Sequence, residues 1–156
     1  MKATRATPTL LSSFALGAIL CSCVHGEMLT PAEISSHGRA AFNAPRAQVF
    51  AAAAGTLRAE GYVIAQEDMD KGVIKTGRKT VRVVAMGNAH AAQAVDYSRQ
   101  YTVTVRSEGA RTSVTAEPRV FMGERDVSGE AVWALDGPEG ERALWNQFFR
   151  ELNGSL

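Results

Sequence analysis

The stretch that decides the fold is "PRAQVFAAAAGTLRAEGYVIAQEDMDKGVIKT", residues 45–76. Its first half has a helical period. Val49, Phe50, Ala53 and Leu57 fall on one side at 3.6-residue spacing, and the run Ala51 to Ala54 lets such a helix approach a sheet closely. Pro45 suits a first helical position, where its missing N–H costs nothing, with Asn43 or Ala44 before it as the cap. Gly61 suits the left-handed residue that ends a helix, so the spacing predicts a helix over 45–60. The second half changes period. From Tyr62 to Ala85 the chain reads as two antiparallel strands joined by a turn at Asp70-Lys71-Gly72.

Working outward, Gly38 to Phe42 reads as a short strand before the helix. Val81 and Val83 alternate with Arg82, which predicts a sheet with one face buried and one wet. "MGNAHAAQAVDYS", residues 86–98, has the small and polar residues of a loop. Tyr101, Val103 and Val105 then alternate with Thr102 and Thr104 in a further strand, and Glu108-Gly109 turns the chain. Thr112 to Ala116 and Arg119 to Met122 pair back, with Pro118 marking a bulge or an edge between them. Last comes an amphipathic helix over Pro138 to Leu152, with Leu144, Trp145, Phe148, Phe149 and Leu152 on one face. Glu139, Glu141 and Glu151 argue against an anionic membrane as its partner and for packing on the domain's own sheet. Strands run between two helices without βαβ alternation. The expected class is therefore α+β: an antiparallel sheet of about four to six strands with two helices packed on one face, a helix-grip-like sandwich.

The segment 45–76 also resembles the start of the helix-grip domains in BamC-type lipoproteins of the outer-membrane β-barrel assembly machinery. Leu57, Gly61-Tyr62, the acidic turn Asp68 to Asp70 and Gly72-Val73-Ile74 carry the resemblance, over about 30 residues of a 156-residue chain. It implies the fold and a periplasmic lipoprotein habit, and it assigns no functional residue.

The amino terminus points to the same compartment. Lys2 and Arg5 precede an apolar stretch from Leu10 to Leu20 and then small residues, the three parts of a secretory leader. The apolar stretch is far shorter than the roughly 20 residues that a membrane-spanning helix needs. Leu20-Cys21-Ser22-Cys23 resembles the bacterial lipobox, with Cys23 as the lipid attachment point. Cys21 does not fit, because Leu20 would then occupy a site that takes small residues. Ordinary cleavage after Gly26 is the competing reading. A disulfide fails on geometry, since one serine between the cysteines closes a strained ring and the sequence has no third cysteine. The expected organisation is a leader over 1–22, a flexible tether over 23–36 and one α+β domain over 37–156.

Charge excludes one class of partner. The chain has 17 basic and 16 acidic side chains, which gives no electrostatic footprint for nucleic acid. Catalytic motifs are missing: there is no Gly-x-Ser-x-Gly, no His-Glu-x-x-His and no phosphate loop. His25 and His37 have no second ligand at helical spacing, and His90 beside Asn88 reads as a loop histidine. Glu67, Asp68 and Asp70 lack the spacing of a calcium loop and read as turn chemistry. No catalytic residue, metal or cofactor is expected. Lys75, Arg78, Lys79 and Arg82 form a short basic cluster, a candidate interaction site for anionic headgroups or glycan polymer. Two functions from different classes remain. One is a non-enzymatic envelope lipoprotein, lipid-anchored at the periplasmic face of the outer membrane, that docks a protein partner. The other is a carrier of a small apolar ligand such as a lipid, which needs an unfilled apolar cavity.

Overall fold

The computed structural model describes residues 26–88 and 91–156, with side chains left out over 85–92. Three helices, α1 (Pro31–His37), α2 (Arg46–Ala59) and α3 (Glu141–Gly154), accompany seven strands. The strands are β1 (Arg39–Phe42), β2 (Ile64–Asp68), β3 (Val73–Thr76), β4 (Lys79–Asn88), β5 (Ala91–Glu108), β6 (Arg111–Met122) and β7 (Arg125–Asp126). All pair antiparallel in one open sheet, so the α+β class and the helix-covered sheet face are as expected.

The long pair β5–β6 is the spine. Its register runs from Tyr97↔Met122 to Glu108↔Arg111. β3 pairs with β5 at Val73↔Thr104 to Lys75↔Thr102, and β4 pairs with the earlier part of β5, from Lys79↔Arg99 to Asn88↔Ala91. β3 and β4 therefore lie end to end along one edge of β5. On the other side, β1 and β7 lie in succession along β6.

One phase of each spine strand points to the helices: Tyr101, Val103 and Val105 on β5, Val114 and Ala116 on β6. Across from them α2 brings Val49, Phe50, Ala53 and Leu57, and α3 brings Trp145, Phe148 and Leu152, all buried. The Trp145 indole N–H donates to the Ala116 carbonyl at 3.0 Å, so its one polar atom is satisfied. The opposite phase, with Thr102, Thr104, Ser113 and Thr115, faces away from the helices and is polar. A second, smaller core forms at the far end of the spine, where Tyr97 and Val120 pack with Val127, Trp133 and Leu135 of the connection to α3.

Helix α2 begins after Pro45, which is the cap residue and not the first helical one. It ends as the glycine signal predicts. Gly61 has φ +85°, its N–H donates to Arg58 O, and the Tyr62 N–H donates to Leu57 O, both at 2.9 Å. These are the two bonds of a Schellman closure. The β2–β3 turn is tied equally firmly. Gly72 has φ +67°, its carbonyl accepts from the Val105 N–H at 2.7 Å, and a Cβ there would sit 2.2 Å from the Val105 oxygen.

Several further sequence expectations change. The stretch 86–98 reads as a loop, but residues 86–88 are the end of β4 and residues 91–98 the start of β5, because small residues without alternation hide an edge pairing. Two strands were expected over 62–85, whereas β2, β3 and β4 all begin there. Val81 and Val83 are not the buried phase: they are 41% and 61% exposed. An irregularity between Thr80 and Arg82 shifts the register, so Arg82 stands opposite Tyr97 and the half-buried Val84 packs on the second core. Finally, residues 26–36 are not a free tether. Glu27 and Trp133 exchange two backbone hydrogen bonds of 3.0 Å, α1 is capped by the Thr30 hydroxyl, and Leu29 and Ile34 pack on the cores. Only two apolar side chains carry that docking, too few to form a periodic pattern.

Pro118 marks a local edge and not a bulge: β6 runs through it in unbroken register opposite Tyr101. The Ala116 N–H donates to Gly38 O on the β1 side. Backbone direction alternates along a strand, so the Pro118 nitrogen faces the same side, beyond the end of β1 and before β7. No ladder bond is lost there.

Candidate functional site

The four basic residues singled out by sequence do not form one cluster, because the sheet parts them between its faces. Lys75 stands opposite Thr102 on the polar face. Arg78 also lies on that side, with its guanidinium 3.8 Å from the Phe121 ring centroid and 2.9 Å from Glu124. Lys79 and Arg82 belong to the helix side: Lys79 Nζ lies 4.9 Å from the Tyr62 ring and the Arg82 guanidinium 4.6 Å from the Tyr97 ring. Cys23, the expected lipid attachment point, lies outside the described residues, as does His90.

Lys79 instead opens onto a cleft of about 250 Å³ between the end of α2, the start of β4 and α3. Its ammonium donates to the Glu60 carbonyl at 2.5 Å, which closes off the last turn of α2. The Glu60 carboxyl is pushed up to about 7, first by burial and then by Glu151 on α3, with Lys79 pulling the other way. Burial likewise pushes the Tyr62 hydroxyl up to about 12. Val81, Leu144 and Gln147 complete the rim.

Behind the rim lies a charged group the sequence reading did not pick out. Arg99 is 8% exposed and Glu141, the first residue of α3, is 0% exposed. Arg99 Nη2 lies 2.9 Å from Glu141 Oε2, and the Tyr101 hydroxyl donates to Glu141 Oε1 at 2.6 Å. The ion contact is not aligned as a hydrogen bond: Glu141 Oε2 and Arg99 Nε complete none. Burial holds the Glu141 carboxyl above its usual range even though Arg99 and Tyr101 both favour its charged form. A signal for this pair was present in the sequence. Arg99 occupies the same phase as Tyr97, Tyr101, Val103 and Val105, the buried phase of β5, where a charge requires a partner.

The remaining candidates have structural roles. Asp68 accepts from the Lys71 N–H at 3.0 Å and pairs with the Lys71 ammonium at 2.9 Å, within the β2–β3 turn. Among the described residues no three of His, Cys, Asp and Glu gather where they could hold a metal ion, and no helix is long and apolar enough to cross a membrane. A cleft with two cations, two tyrosines and a carboxyl titrating near neutrality is equipped to hold a small charged group.

Comparison with known proteins leaves the chain to be read from its own geometry. No protein-family model matches it, and no curated protein sequence matches it. Among solved structures, a DUF4468 family protein from Bacteroides ovatus is similar at a TM-score of 0.36 and 17% identity, over 75% of this chain and 77% of that one. A likeness at that score carries no argument about fold or function.

Proposed function

We propose that the chain is a non-enzymatic lipoprotein of the bacterial envelope, anchored through Cys23 at the periplasmic face of the outer membrane, whose domain docks a protein partner along the free edge of β4. The observation that supports it most is the combination of a filled core with an unpaired edge. β4 pairs with β5 on one side and with no described strand on the other, and Val81 and Val83 stand exposed along it. An edge of this kind accepts an added strand through main-chain hydrogen bonds, with side-chain pockets setting the choice. Lys79 precedes the valines, Arg82 lies between them and β4 carries no acidic residue, so the favoured partner strand alternates acidic and apolar side chains.

The carrier alternative needs an apolar cavity of roughly 300 Å³ or more. The gap among Leu57, Tyr101, Ala116, Trp145 and Phe148 has no room for a water molecule. A depression of about 380 Å³ between β1 and α2 is a surface hollow rimmed by Asn43, Gln48 and Asn153. Neither is a lipid chamber.

Backbone geometry supplies the test. Tyr101, Val105 and the other odd-numbered positions of β5 turn their N–H groups toward β3 and β4. Asp96 therefore turns away from β4, and Val83, its opposite, directs its own N–H outward. Val83→Pro deletes that outward donor without removing a β4–β5 bond. Crosslinked adducts of the wild-type chain in intact cells should vanish in Val83→Pro while its melting temperature moves by only a few degrees. Adducts undiminished in the proline variant would refute the edge. For the anchor, Cys23→Ser should leave the membrane fraction and Cys21→Ser should remain in it; identical fractionation of both would refute lipidation at Cys23.

A further inference from the structure

We infer that the cleft between the end of α2, the start of β4 and α3 binds a small monocarboxylate at the Lys79 ammonium. The inference goes beyond the docking edge and concerns the chain with no partner strand at Lys79. Two cations line the cleft, and they are not equivalent. Arg99 is committed to the buried Glu141 carboxylate, 2.9 Å away. Lys79 has no carboxylate within ion-pair distance among the described residues, and it spends one N–H on the Glu60 carbonyl, leaving two to donate. One uncompensated cation suits one negative charge, and a phosphate dianion would exceed it. The volume, about 250 Å³, is that of roughly eight water molecules or a ligand of about as many heavy atoms. Val81 and Leu144 on the rim offer apolar contact for the organic part of such a ligand, and the Gln147 amide offers a further donor.

Glu60 sets the condition for binding. It shares the cleft with Lys79 and Tyr62, with Arg99 and Tyr101 on the floor and Glu151 approaching from α3. Deprotonated, it competes for Lys79 and repels an incoming carboxylate. Protonated, it becomes a hydrogen-bond donor to that carboxylate. With the carboxyl at about 7, the protonated fraction falls about tenfold from pH 6 to pH 8, and a ligand that needs the proton loses affinity by about the same factor.

The test is a titration of the full-length chain with butyrate, followed by backbone amide resonances, with inorganic phosphate and butylamine as comparison probes. Butyrate should shift the Val81, Arg99 and Gln147 amides, about tenfold more tightly at pH 6 than at pH 8. Glu60→Gln should bind at pH 8 as the wild type does at pH 6, and Lys79→Met, which loses a half-exposed side chain, should lose the response. No shift of these amides, equal wild-type affinity at the two pH values, or stronger binding of phosphate or butylamine than of butyrate would overturn the assignment.

Discussion

At the scale of single residues, the buried pair behind the cleft and the carboxyl at its rim make opposite demands. Arg99 and Glu141 are each committed to the other, so removing one strands a buried charge. Arg99→Met should cost about 3–5 kcal/mol in urea unfolding, and Arg99→Met/Glu141→Gln, which keeps an acceptor for the Tyr101 hydroxyl, should recover much of it. Equal losses for the single and double variants would show that the two residues do not act as a pair. Glu60 works the other way. Its carboxyl is pushed up to about 7 from the ordinary glutamate value of 4.5, so the folded chain favours the neutral form. That advantage is fully present below about 4.5 and is lost as pH rises through about 7. Glu60→Gln should therefore match the wild type in thermal melts near pH 4 and exceed it at pH 8. Arg99 shows what was legible at this scale: a cation in the buried phase of a strand is a sequence-visible anomaly. Its partner was not, because nothing local to Glu141 in a helix's first turn distinguishes a buried acid from a solvated one.

Elements were legible where side-chain period and turn chemistry agreed. α2 and its Gly61 closure, the Gly72 turn and the apolar face of α3 all follow from residues whose types suit few other places. α3 provides the next prediction. Trp145 is 0% exposed, so Trp145→Ala should cost about 3–5 kcal/mol, against the 5–15 kcal/mol that holds a domain of this size together. Phe149 is only half-buried, and its truncation should cost less. Gly72→Ala should be as damaging as Trp145→Ala for a different reason: the turn needs positive φ, and a Cβ would collide with the Val105 carbonyl. Illegible elements share a cause. The end of β4 and the start of β5 are dominated by Ala, with Met86, Gly87, Asn88 and Gln93 among them, residues whose pairing is decided by the neighbouring strand and not by their own preferences. Likewise α1 is held by Arg142, which grips Glu33 at 2.8 and 3.1 Å, a contact spanning more than a hundred residues of sequence.

For the molecule as a whole, the strand count exceeded the expected range because one long hairpin, β5–β6, has two shorter strands in succession along each side. That arrangement leaves β4 as an edge and sends α2 and α3 to one face, which joins the helix-side cleft to the proposed docking edge through Lys79. Anchoring belongs to this scale too. Residues 27–37 pack against both cores, so a lipid at Cys23 would hold the domain close to the membrane and not at the end of a long tether. The measurement that tests the docking account most directly is amide exchange, residue by residue, at Val83 and Val84. Val84 turns its N–H toward β5, so it should exchange slowly both in the purified full-length chain and in the chain bound within envelopes. Val83 turns its N–H outward, so it should exchange fast in the purified chain and become protected only in the envelope-bound one. Rapid exchange of Val83 in both states would contradict strand addition at β4.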